Sequence, residues 1–109
     1  MNLTATTHSL ELVTASALAV DYVASFSDID KTSATVLTPG SAQGTVSTAT
    51  DTMIVSAPAA NVYRIVTSLT VRNVSGSTQV VTVLKDVAGT EYFIARATLL
   101  TGEALVYED

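Results

Sequence analysis

The sequence predicts an all-β fold, an antiparallel β-sandwich of jelly-roll or immunoglobulin-like type with about seven or eight strands and a C-terminal meander. Three observations carry that prediction. From Tyr63 to Tyr107 the chain reads as four apolar, β-branched runs of strand length, joined by NVSGS, DVAG and LTG; short Gly-containing joints between such runs mark tight β connections. Within the first run Tyr63, Ile65, Leu69 and Val71 occupy odd positions, against Arg64, Ser68, Thr70 and Arg72 at even ones. That period of two assigns one set to the core and the other to the outer face. No segment keeps a helical period beyond two turns.

Residues 1–7 carry no core pattern and are expected to form a flexible or partner-bound N-terminal arm. Residues 9–14 place Leu10 and Leu12 on one side, as a short strand does. Residues 18–26 alternate throughout, Leu18, Val20, Tyr22, Ala24 and Phe26 against Ala19, Asp21, Val23 and Ser25, which outweighs the helical preference of the alanines. Residues 28–51 are rich in Thr, Ser, Ala and Gly around the Pro39-Gly40 turn mark and are expected to be a long loop. A connection of about 24 residues in a small domain is usually functional or hides a strand; residues 44–50 are the candidate for pairing at an edge. Residues 52–57 read as a strand ending at Pro58, and 58–61 as the turn into the C-terminal part.

A chain of 109 residues is expected to form one domain. It contains no cysteine, which excludes disulfides, thiolate metal sites and a cysteine nucleophile. Charged residues are only 14% of the chain, so hydroxyls rather than charges cover much of the surface. Soluble monomers rely on surface charge to stay apart, and a chain this poor in it is expected to bury surface in an assembly. The net charge of −5 and five scattered basic residues argue against nucleic acid as a partner. No apolar run reaches the length of about 18 residues that reads as a membrane span, and no basic-then-apolar leader opens the chain.

No constellation for catalysis emerges. His8 is the sole histidine and its one nearby carboxylate is Glu11, so it reads as a solvated side chain without chemical role. Asp28 and Asp30 resemble the first ligands of a calcium loop, but Lys31 follows and no acid returns before Asp51; an acidic turn at a strand end is expected. Asn73 is assigned to a hairpin turn that needs positive φ, in preference to its N-x-S glycosylation pattern. Neither a metal nor a cofactor is expected, and the chain reads as non-enzymatic. Tyr22 and Tyr63 fall in the inward phase, whereas Tyr92 and Tyr107 are the aromatics a carbohydrate-binding module would expose.

The run from Ala57 to Glu108 resembles small all-β structural proteins of tailed bacteriophages. There, a strand of pattern R-x-I-x-S-L-T-V-x-N precedes a closing T-L-x-x-G-E-x-L. The present chain has Arg64 to Asn73, with valine at the isoleucine position, and Thr98 to Leu105. The upstream segment LTATTHSLELVTASALAVDYVASFSDID is similar to the opening of the same proteins. The resemblance implies a virion structural protein assembled in the bacterial host cytoplasm. It points first to a capsid decoration or cement protein that binds between subunits of the major capsid protein, often as a trimer. A tail, connector or fibre-associated component, or a host-surface-binding module, is the alternative. Met1, Asn2, Leu3 and Thr4 of the arm, Thr38, Pro39 and Gly40 of the loop, and Arg64 and Arg72 on the outer face are the expected interface residues. The two arginines are expected about 27 Å apart on that face.

Overall fold

A computed structural model describes residues 1–33 and 37–108. The described residues form nine strands: β1 (Asn2–Leu3), β2 (His8–Thr14), β3 (Val20–Asp30), β4 (Leu37–Val46), β5 (Thr52–Val55), β6 (Val62–Asn73), β7 (Gln79–Val87), β8 (Thr90–Leu99) and β9 (Ala104–Glu108). They build two antiparallel sheets packed face to face, the β-sandwich the alternation predicts. One sheet runs β1-β6-β3-β4, with β9 also on the free side of β6; the other runs β5-β2-β7-β8. The interior is apolar, with Leu10, Leu12 and Val81 of one sheet meeting Val20, Leu69 and Val71 of the other.

Four expectations are corrected. The extra strands over the anticipated seven or eight are β1 and a β4 longer than the sequence suggests. The region expected as a 28–51 loop instead completes β3 and forms β4, which pairs with β3 from Val20↔Val46 to Ile29↔Leu37; its residues 34–36 lie outside the described residues. The C-terminal part is no single meander. β7 and β8 form a hairpin, but β6 and β9 belong to the opposite sheet, so the chain crosses the sandwich twice. Short Gly-containing joints look alike whether they turn a hairpin or change sheets.

The fourth correction has the largest effect on the surface. Opposite the β3 step from Ser25 to Phe26, β6 moves from Ser68 to Val66, leaving Thr67 as an extra residue. A β-bulge of this kind resets which side chains face inward. Leu69 and Val71 point into the core as expected, but below the bulge it is Val66 that is fully buried, while Tyr63 is exposed. Arg64 therefore shares the inward phase, and Arg72 the outward one.

Candidate interaction surface

The expected N-terminal arm is stitched into the sandwich. Asn2 and Leu3 pair with Ile65 and Arg64 of β6, and Leu3 is 0% exposed within the core. The Met1 amine donates to the Val66 carbonyl (3.1 Å) and to Tyr107 Oη (2.9 Å), and the Val66 N–H donates back to the Met1 carbonyl (2.7 Å). Two lysines fix the backbone from outside: Lys85 Nζ donates to the Asn2 carbonyl (3.0 Å) and Lys31 Nζ to the Thr4 carbonyl (2.8 Å). His8 is half-buried rather than solvated. Its Nδ1 accepts from the Thr4 N–H (3.2 Å), which closes the turn from β1 into β2.

Thr38, Pro39 and Gly40 lie on β4, the outermost strand of its sheet, with Thr38 and Pro39 exposed. Proline is tolerated there because an edge strand leaves alternate N–H positions facing solvent. The inner side of β4 is covered by two rings from its neighbour. Phe26 is opposite Gly40 and Tyr22 opposite Gly44; a Cβ at position 40 would come within 2.6 Å of Phe26 Cε2. Ring over glycine packs both aromatics on the neighbouring backbone while they also touch the edge of the core.

Arg64 and Arg72 do not share a face. Arg64 Nε and Nη2 grip Asp28 Oδ1 and Oδ2 at 2.9 and 3.0 Å, and Nη1 donates to the Ser56 carbonyl (2.9 Å) and Oγ (3.0 Å). Its guanidinium centre lies 4.2 Å from the Phe26 ring centroid. The side chain is 14% exposed and Asp28 26%, so most of the ion pair is taken up within the fold. Arg72 is outward and donates to the Gly102 carbonyl at 2.7 Å.

Asp30 forms the expected acidic turn: Oδ1 accepts from the Thr32 N–H at 2.7 Å, and this bond with Thr32 holds the carboxyl below its ordinary value. Asn73 does something different from the expected turn. Fully buried, it donates from Nδ2 to the Ser77 (2.7 Å) and Leu99 (2.9 Å) carbonyls and accepts at Oδ1 from the Ser75 N–H and hydroxyl. Positive φ falls instead at Asn61, Ala88, Gly89 and Gly102.

On the opposite flank of the molecule the sequence reading singles out only Tyr92 and Tyr107, as aromatics for a sugar. β8 closes its sheet and pairs only with β7 among the described residues. Its Tyr92 and Phe93 are 55% and 64% exposed. Between Val83↔Ala95 and Leu84↔Phe93 the register slips, leaving Ile94 as an extra residue. Ile94 and Ala95 line a groove of about 200 Å³ that runs to Leu105, Val106 and Tyr107 of β9 and to Met1. The uninterrupted Tyr92-Phe93-Ile94 triplet, which breaks the alternation, is the signal in the sequence.

On the outer face of the same sheet, carboxylate oxygens of Glu11, Asp51 and Glu91 lie within 4.8 Å of one another. A hydrogen bond with Asp51, desolvation, and the charges of Asp51, Glu11 and Asp86 push Glu91 up to about 7. Desolvation, then Asp86 and Asp51, raise Glu11 as well. The three carboxylates gather on an open face, where their charges repel one another. Comparison of the chain with protein-family models, curated proteins and solved structures gives no match.

Proposed function

We propose that the chain is a non-enzymatic structural protein of a tailed-phage particle, and that it stabilises the head by binding between subunits of the major capsid protein. The observation that supports the reading best is β4. This edge strand runs from Leu37 to Val46 without one charged residue, and most of it is exposed. Soluble monomers guard such edges with charge, because unpaired main-chain groups invite another strand. A partner strand added there would draw affinity from main-chain hydrogen bonds, with little demand on side-chain identity. Several such contacts around one shell reinforce one another through effective concentration. The test is co-sedimentation of the purified chain with assembled shells of the phage that carries it. Binding that is lost on Gln43→Lys plus Ser41→Lys supports the reading; an absence of binding to shells, with labelling of tails instead, moves the protein to the tail.

A second reading rests on the exposed ring of Tyr92, which suits the face of a sugar. Binding on a glycan array that is lost in Tyr92→Ala supports it, and a silent array removes it.

A further inference from the structure

We infer that β8 is a self-pairing edge, through which two copies of this chain join as a two-fold dimer with a continuous sheet across the interface. The inference deepens the assembly reading above, from which it takes only the expectation that the chain buries surface against other subunits; a dimer departs from the trimer that the resemblance implies.

The self-complementarity follows from the register. Phe93 opposes Leu84 and Arg96 opposes Thr82. With Ile94 set aside as the extra residue, Glu91, Phe93 and Arg96 occupy alternate rows and share the outer face. Antiparallel pairing of β8 with a second β8 about Phe93 then places each Glu91 opposite the partner's Arg96. Both charge pairs form at once, because the two-fold repeats each contact. Within one chain, Arg96 makes no ion pair or hydrogen bond among the described residues, while Glu91 faces Asp51, Glu11 and Asp86. A second copy brings a guanidinium to which Glu91 can turn from its acidic neighbours Asp51, Glu11 and Asp86.

The inner face fits the same register. Tyr92, on the row opposite Lys85, falls next to the partner's Ala95, which lines the apolar groove between β8 and β9. The exposed Tyr92 ring would cap that groove in the other copy, and Phe93 would meet Phe93 on the axis. Charge, ring and groove thus select one occupant, the strand itself. A foreign peptide would need to bring its own cation for Glu91 and its own ring for the groove.

The chain has no cysteine, so single-cysteine variants report cleanly. Sedimentation equilibrium of the unmodified chain is expected to show a dimer. Arg96→Glu is expected to weaken it by about tenfold or more, and adding Glu91→Arg to restore it, since the exchanged charges again meet. Phe93→Cys is expected to cross-link in pairs with a short bis-maleimide, whereas Val23→Cys, exposed on the other sheet, is not. Melting curves establish that each variant is folded. A chain that stays monomeric at high concentration, a trimer, a dimer indifferent to Arg96→Glu, or equal cross-linking at Val23→Cys overturns the pairing. A monomer that binds shells would sink the pairing and spare the virion reading; a dimer that ignores shells would do the reverse.

Discussion

Arg64 and Asp28 meet in a two-pronged ion pair against the ring of Phe26. The pair is shielded on one side by the ring and tied on another to Ser56. Removing one partner leaves the other charge with poor access to water. Arg64→Ala or Asp28→Ala is expected to lower unfolding free energy by about 2–3 kcal/mol, measured by urea denaturation. The double variant should cost less than the sum of the two. A loss under half a kcal/mol would place the pair among ordinary exposed ones, worth about 0–1 kcal/mol.

The N-terminal strand is expected to matter for folding itself. Leu3→Ala removes a fully buried side chain, for an expected loss of about 2–5 kcal/mol. Deleting residues 1–7 should lower the melting temperature further, before any question of partner binding arises. An unchanged melting curve for the deletion would mean that β1 adds nothing to the core.

Asn73 ties two stretches of chain, residues 75–77 and Leu99, by side-chain hydrogen bonds that no aliphatic can replace. Asn73→Leu is expected to cost about 2–4 kcal/mol, because the carbonyls of Ser77 and Leu99 lose a buried donor. Denaturant titration provides the check.

Gly40→Ala is expected to destabilise by about 1–3 kcal/mol, since the new Cβ displaces the Phe26 ring and with it the stack on Arg64. Gly76→Ala, with open space around its Cβ, is the matched control and should be close to neutral.

The acidic face sets a pH dependence. Glu91 is pushed up to about 7 in the folded chain from an ordinary 4.5, by Asp51 first and then by desolvation and the charges of Asp51, Glu11 and Asp86. Between those values the folded state holds a proton that the unfolded state has released, so stability falls as pH rises through the window. Asp30, lowered in the fold, acts only below its ordinary 3.8 and in the opposite sense, its contribution being lost on acidification. At dilutions that keep the chain monomeric, the melting temperature should be higher at pH 5 than at pH 7.5. Glu91→Gln should flatten the difference; a profile that Glu91→Gln leaves unaltered would rule out Glu91 as its source.

Strand extent is legible from the apolar runs even where the alternation breaks. Residues 20–26 keep their inward set, Val20, Tyr22, Ala24 and Phe26, and the run TEYFIARATL coincides with β8. What failed was phase, because a period-two pattern carries no information about inserted residues. In β6 a trace of the bulge is visible all the same: Thr67 stands among the apolar odd positions and Val66 among the polar even ones, which is where the phase reverses. β4 is hidden because Gly and small polar residues read as loop, while its strand comes from pairing along β3, whose Tyr22 and Phe26 rings lie over Gly44 and Gly40. Of the expected interface residues, Thr38 and Pro39 are exposed, whereas Leu3 and Arg64 are taken up by the fold. Nothing local distinguishes a buried arginine from a solubilising one when its acid lies on another strand.

The inserted Thr67 divides β6 into two stretches that obey different rules. Beyond it, tolerance of substitution at Leu69 and Val71 is set by hydrocarbon volume and at Asn73 by hydrogen bonds; before it, at Arg64, by ionic matching. A substitution at Lys31 or Arg64 is therefore felt through the charges and the N-terminal strand that they hold at this end, and one at Leu69 or Val71 through the fit of the two sheets.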